Sequence, residues 1–183
     1  MLHLMNTIIK KEKLAEGINL FEIEAPLIAA KAQAGQFVVL RINEKGERIP
    51  LTIADKDPSR GTITIIFQEV GATTKFLGTL NVGDSILNIL GPLGKATHIQ
   101  KYGTVVVVGG GVGIAEIYPV IKVMKQAGNN VVSIIGARCK DFLILDKMIE
   151  SSGDEIYRTT DDGSCGRKGF VSDVLKEILE RET

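Results

Sequence analysis

The residues best suited by type and spacing to do chemistry form a glycine run, Gly109-Gly-Gly-Val-Gly113. It follows Thr104-Val-Val-Val-Val108 directly and precedes a stretch with helical apolar spacing. A glycine turn between a buried strand and a helix presents backbone N–H groups at the positive end of the helix. That is an anion site, and a pyrophosphate reaches it only where no Cβ intervenes. The run does not satisfy Gly-x-Gly-x-x-Gly: counted from Gly109 the sixth position is Ile114, and from Gly111 it is Glu116. The next strand ends in Gly136-Ala-Arg138, with no Asp or Glu to take a ribose hydroxyl. Two readings of the glycines therefore stay open: a phosphate cradle, or tight packing of strand on helix. Asp161-Asp-Gly-Ser164, after a third strand, is a candidate ligand loop at the same sheet edge, or a simple Asp-Gly turn. Arg138, on that edge too, suits an adenosine phosphate or a local carboxylate, and does not choose between NAD and NADP.

Little else offers reactivity. Cys139 and Cys165 belong to no Cys-x-x-Cys and to no His/Cys cluster, so this chain alone supplies no zinc or iron–sulfur ligand set. Two lone thiols suit a reducing compartment, where they stay inert rather than bridged. His3 and His98 read as surface or linker histidines without a visible partner. No nucleophile–base pair stands at informative spacing, so a cofactor must carry the chemistry.

Two kinds of element must position these groups. Up to about residue 97 the chain reads as six short strands: Thr7–Leu14, Ile18–Glu24, Gln36–Ile42, Leu51–Ala54, Gly61–Val70 and Ser85–Leu90. Turns at Glu44-Lys-Gly46, Asp57-Pro-Ser59 and Asn81-Val-Gly-Asp84 punctuate them, and Thr73–Leu80 is expected as a short inserted helix. This spacing predicts an antiparallel, Greek-key-like barrel. Beyond Gly103 strands alternate with helices: strand Thr104–Val108, helix Ala115–Ala127 with Pro119 in its first turn and Gly128 after its end, and strand Asn130–Gly136. A helix over about Leu143–Glu150, strand Glu155–Thr160 and helix Phe170–Glu180 follow. Such βαβ units predict a parallel sheet. The predicted fold is a six-stranded β-barrel over residues 1–98 followed by an α/β nucleotide-binding domain over 103–183. Only three strands are visible in the second, so it is expected to be incomplete.

A chain of 183 residues holds one ordinary domain or two small ones. With 22 Lys+Arg against 22 Asp+Glu the net charge is zero, which argues against gripping a nucleic-acid backbone. The start lacks a basic, then long apolar, leader pattern, and Thr104–Ile121 is too broken by glycines and Glu116 to span a membrane. A cytoplasmic protein is expected.

Several motifs in order, spread along nearly the whole chain, resemble a known family. A barrel followed by Val-Gly-Gly-Gly-Val-Gly-Ile-Ala is similar to the ferredoxin–NADP reductase superfamily. Gly46–Asp55, Gly91-Pro-Leu-Gly94, Gly136-Ala-Arg138 and Thr160–Gly169 narrow the resemblance further. They look like the FAD-bearing small subunit of NADH-dependent ferredoxin:NADP oxidoreductase, also called sulfide dehydrogenase β subunit. The dihydroorotate dehydrogenase electron-transfer subunit is its cousin.

The resemblance implies FAD on the barrel. The family's Arg-x-Tyr-Ser segment matches Ile49-Pro50-Leu51-Thr52, with Leu51 in place of the aromatic and Thr52 supplying the hydroxyl toward flavin N5, the implied catalytic contact. Arg48 stands one place before the family's pyrophosphate Arg. Ile66, Phe67 and Gln68 would line the flavin, and Gly71, Thr73 and Thr74 would bind its phosphates. NAD(H) or NADP(H) would sit at Gly110, Gly111, Gly113 and Ile114, with Arg138, Asp161 and Asp162 at the same edge. Glu116 stands where relatives carry Pro, and Cys165 falls at a variable place. The implied activity is electron transfer between NAD(P)H and an iron–sulfur partner, a larger iron–sulfur/flavin catalytic subunit, with ferredoxin a further candidate. A non-catalytic flavin- or nucleotide-binding module and a monomeric flavin reductase are the alternatives. The family also implies a C-terminal Cys-Gly-Pro strand and four cysteines for a [2Fe-2S] cluster, and nothing in this sequence matches either. The chain is therefore expected to be a piece of a longer one or a subunit completed by a partner.

Overall fold

The computed structural model describes residues 6–181, and His3 lies outside them. The chain divides into two compact units, one ending at Thr97 and one starting at His98.

The first unit is an antiparallel barrel of β1 (Ile8–Ala15), β2 (Ile18–Glu24), β3 (Phe37–Arg41), β4 (Ile49–Asp57), β5 (Thr62–Gln68) and β6 (Asn88–Leu93). Their order in the sheet is β1-β2-β5-β4-β3-β6. Alternation decides which side chains fill it: Phe21 and Ile23 from β2, Val38 and Leu40 from β3, and Ile63, Ile65 and Phe67 from β5 all point inward. Phe21 and Phe67 meet edge to face with centroids 5.1 Å apart. The sixth strand starts three residues later than its sequence predicts. Ser85 is spent on closing the barrel through a bridge to Thr7, and Ile86 N–H donates to the Asn6 carbonyl at 2.9 Å.

Two helices attach to the barrel. α1 (Pro26–Ala29) is a single turn opened by proline, too short for any periodic signal. α2 (Ala72–Thr79) is the inserted helix expected from the sequence, and it buries Leu77. The Lys11 ammonium, reaching over from β1, donates to the Gly78 and Leu80 carbonyls at 2.7 Å each and so closes the helix's negative end.

The second unit comprises β7 (Thr104–Gly110), α3 (Ile114–Gln126), β8 (Asn130–Ala137), α4 (Asp146–Ser152), β9 (Glu155–Thr160), β10 (Arg167–Lys168) and α5 (Val171–Arg181). The sheet is parallel with order β10-β9-β8-β7. It therefore has four strands, not the three visible in sequence. A two-residue Arg-Lys strand carries no periodicity, and it forms because the chain doubles back through the loop after β9. Gly166 (φ +63°) allows that return: a Cβ there would lie 2.1 Å from the Arg158 carbonyl oxygen.

Two helix boundaries also differ from expectation. α3 begins at Ile114, so Pro119 is its sixth residue and lies past the first turn. α4 begins only at Asp146. Lys140–Phe142 form one 3₁₀ turn, and Leu145 takes a left-handed conformation (φ 56°) as Ile144 is drawn into the interior. The aspartate that opens α4 is fixed by Arg158, whose Nε donates at 2.6 Å.

α3 ends as its sequence predicts. Gly128 N–H bonds to the Lys125 carbonyl and Asn129 N–H to that of Met124, with Gly128 at φ +82°. Asn129 then does more than continue the chain. Its buried amide oxygen accepts from Tyr102 N–H (2.6 Å) and Gly103 N–H (3.2 Å), while its nitrogen donates to the Gln100 and Met124 carbonyls, both at 2.9 Å. One side chain thus ties the approach to β7 to the end of α3. Asn129→Ala leaves these buried groups unpaired and should lower the unit's stability by about 2–4 kcal/mol. Equilibrium urea unfolding measures it, and an unchanged midpoint would contradict this role.

Candidate functional site

In the second unit the parallel register gathers three turns at one edge. Gly110 pairs with Gly136, Gly136 with Thr159, and Ala137 with Thr160, so the segments after β7, β8 and β9 emerge together at the carboxyl ends of their strands. That edge is where open α/β sheets bind ligands.

The glycine run resolves into different needs. A Cβ on Gly109 would strike Ile117 Cδ1 at 2.8 Å and Ile114 Cα at 3.2 Å, so this glycine serves packing of α3 on β7. Gly111 has φ +56° and serves the turn. Gly110 (φ −127°) and Gly113 (φ −62°) need neither: no atom would crowd a Cβ at Gly113, and only a backbone oxygen at 3.9 Å would meet one at Gly110. The protein does not itself require glycine at these two positions. Bare backbone beside the N-terminus of a 13-residue helix fits a phosphate group. Ile114, the first residue of α3, is fully buried and anchors that end, whereas Glu116 is exposed in the first turn.

The other two turns are stitched together. Asp161 N–H donates to the Ala137 carbonyl (3.1 Å), Asp162 N–H to that of Arg138 (3.3 Å) and Lys140 N–H to the Ser164 hydroxyl (2.8 Å). Ser164 in turn donates to Asp162 Oδ1 through its hydroxyl (2.6 Å) and its N–H (2.9 Å). The hydroxyl and then the N–H of Ser164 hold the Asp162 carboxyl below the usual aspartate range. Arg138 is exposed and lies flat over the Phe142 ring, its guanidinium carbon 3.6 Å from the centroid. The 3₁₀ turn brings Phe142 back beneath it, with Phe142 N–H donating to the Cys139 carbonyl. The sequence did not single out Phe142, and it named Ser164 only as the last residue of the Asp161-Asp-Gly-Ser164 loop. Ser164 carries a readable signal, two residues after an aspartate in an Asx turn, whereas the Phe142 contact depends on a turn without periodicity.

On the barrel the expected residues divide between the two faces of their strands. Ile49 and Leu51, both partly buried, pack against the core. Pro50 and Thr52 alternate to the other side of β4. On β5 Phe67 belongs to the core, while Ile66 and exposed Gln68 share the other face. Since Ile53 pairs with Ile65, Thr52 and Ile66 are neighbours on that face. At α2, Thr74 Oγ1 accepts from Gly71 N–H (3.0 Å) and donates to the Gly71 carbonyl (3.1 Å), a local cap that engages two of the three residues expected at the phosphate. Thr73 Oγ1 donates to Glu47 at 3.4 Å, and Arg48 is exposed beside it in sequence. What remains for an anion is the set of first-turn N–H groups of Ala72, Thr73 and Thr74, which helix geometry leaves without intrahelical partners, beside a Gly71 where nothing would meet a Cβ. That arrangement fits a pyrophosphate.

His98, expected to lack a partner, has one: its Nδ1 lies 2.8 Å from the Tyr102 hydroxyl, a contact within the segment leading to β7. Cys139 and Cys165 are half-buried free thiols. No helix among the described residues is long and apolar enough to cross a membrane.

No protein-family model matches the sequence. Individual proteins do. The chain is 47% identical over 176 residues to a Thermotoga maritima protein named dihydroorotate dehydrogenase B (NAD(+)), electron transfer subunit homolog, covering 96% of this chain and 62% of that one. It is 32% identical over 178 residues to the dihydroorotate dehydrogenase B (NAD(+)) electron transfer subunit of Fusobacterium nucleatum, covering 94% of this chain and 68% of that one. The chain belongs to the dihydroorotate dehydrogenase B electron transfer subunit family. It spans about two thirds of the length of these relatives. Among solved structures, one of NADH-dependent reduced ferredoxin-NADP oxidoreductase, studied for flavin-based electron bifurcation, superposes with a TM-score of 0.91 at 46% identity. The match covers 96% of this chain and 63% of that one. Phthalate dioxygenase reductase, at 18% identity and a TM-score of 0.74, shares the fold.

For this family member the glycines make a sharp prediction. Gly109→Ala should destabilise the unit by about 1–3 kcal/mol through overpacking. Gly110→Ala and Gly113→Ala should leave thermal unfolding nearly unchanged and weaken dinucleotide binding by about tenfold or more; calorimetry and ligand titration together check the contrast. Asp162 supplies a pH test. Its folded-state pKa is lowered, so its contribution to the loop is present above the unfolded aspartate range and lost as pH falls through the folded value. Protection of the Lys140 and Ser164 amides, their exchange measured against the intrinsic rate at each pH, should therefore fall on acidification, and Asp162→Asn should remove that step.

Proposed function

We propose that the chain forms the flavin- and dinucleotide-binding part of an electron-transfer flavoprotein subunit, with FAD on the barrel and NAD(H) on the parallel sheet. The observation that carries this reading is the pair Gly110 and Gly113, bare backbone that the fold itself does not need, in a member of an electron transfer subunit family. NAD(H) rather than NADP(H) is favoured by the name of the curated relatives, which prints NAD(+), while the name of the solved neighbour carries both NADH and NADP.

The chain's residues then have distinct tasks. Gly110, Gly111 and Gly113 offer N–H groups to the dinucleotide pyrophosphate at the head of α3, and Ile114 holds that head in place. Asp161 and Asp162 shape the loop beside it. On the barrel, Thr52 offers its hydroxyl to the flavin ring edge, with Pro50, Ile66 and Gln68 on the same face of their strands. The first-turn N–H groups of Ala72, Thr73 and Thr74, beside Gly71, receive the flavin pyrophosphate, and Arg48 follows Glu47, the acceptor of the Thr73 hydroxyl. A bound flavin supplies the step from a two-electron donor to one-electron acceptors. The acceptor is an iron–sulfur partner subunit. A dihydroorotate dehydrogenase and a ferredoxin:NADP oxidoreductase are the two assemblies supported, by relatives at 47% and 46% identity respectively.

The purified chain should take up FAD and turn yellow, and anaerobic NADH should bleach it. A protein that stays colourless in FAD titration would overturn the proposal. Binding of NADH without bleaching would reduce the chain to a nucleotide-binding module, and sustained dye reduction without a partner would make it a free-standing flavin reductase.

A further inference from the structure

Arg138 is held in an unusual state for a surface cation. Its guanidinium lies 3.6 Å over the Phe142 ring, and among the described residues it has no ion-pair partner. One planar face is covered by Phe142 and the side chain is otherwise exposed at the carboxyl end of β8. The stack is a built feature. The 3₁₀ turn Lys140–Phe142 returns the ring under the arginine, and the hydrogen bonds from Asp162 N–H to the Arg138 carbonyl and from Lys140 N–H to Ser164 clamp that turn to the loop after β9.

A guanidinium, unlike the point charge of an ammonium, has a plane that stacks on aromatic faces, and here Phe142 already orients it. A pinned plane is suited to stacking, because aromatic bases stack on guanidinium groups as they do on rings. Charge adds no pull toward the dianion of a 2′-phosphate: Asp141, Asp161 and Asp162 offset Arg138, Lys140 and Lys168, whose side chain lies against Gly163. We infer that Arg138, supported by Phe142, is a stacking platform for the adenine ring of the dinucleotide and thereby a positioning residue that reads the base, not a phosphate. This rests on the proposed dinucleotide site and adds to it the part of the ligand that this arginine recognises.

Calorimetric titration of the purified chain with ADP-ribose, NADH and NADPH tests the inference. Arg138→Lys keeps the charge and loses the plane, so it should weaken ADP-ribose about tenfold, as much as Arg138→Ala. Phe142→Leu should weaken it about threefold, and none of the three should change the ratio of NADH to NADPH affinity. Thermal unfolding within a few degrees of the parent confirms that each variant is folded. Arg138→Lys binding ADP-ribose like the parent would overturn the stacking role and leave the proposed function intact. So would a selective loss of NADPH affinity, which would make Arg138 a phosphate anchor. A parent chain that binds none of the three ligands would remove the dinucleotide site itself.

Discussion

The parallel pairing of β7, β8 and β9 is the constraint on which the rest of the candidate dinucleotide site depends. Parallel strands all end at the same edge, so each crossover delivers its next turn to one line of the molecule. Fixing Gly110 opposite Gly136 and Ala137 opposite Thr160 is enough to bring the glycine turn, the arginine and the Asp-Asp-Gly-Ser loop together, though up to about 50 residues separate them in sequence. The hydrogen bonds from Asp161, Asp162 and Lys140 N–H extend that register beyond the last strand residues. Asn129 serves the same end from the other side, by fixing how the chain enters β7 after α3 has closed on its glycine.

Much of this was legible because the signals are local and strong. A run of four valines, a glycine turn and an apolar stripe at helical spacing leave few alternatives to strand, turn and helix, and the observed β9 matches its predicted bounds of Glu155–Thr160. The six barrel strands were readable through alternation. The missing information was of another kind. β10 exists because Gly166 lets the backbone pass within contact of Arg158, a long-range condition that two residues cannot announce. The late start of β6 reflects barrel closure through Thr7 and Ser85, which no window of sequence around Ser85 contains. The same holds for the site: glycines at 109–113 are visible at once, but only packing separates Gly109, which α3 requires, from Gly110 and Gly113, which it does not.

The barrel shows how a resemblance transfers a position without its chemistry. Leu51 occupies the place of an aromatic, yet alternation turns it toward the core with Ile49 and Ile53. Partly buried, Leu51 gains a share of the about 1.5–3 kcal/mol that full burial of such a side chain contributes. The other side of these strands carries Pro50, Thr52 and the buried Ile66, small or aliphatic, so in the proposed function the ring would be held by its edge and by its phosphates more than by stacking. That reading puts the demand for affinity on the first turn of α2. There the Thr74 side chain bonds both backbone groups of Gly71, which is extended, so the threonine's own observed task is that of a cap.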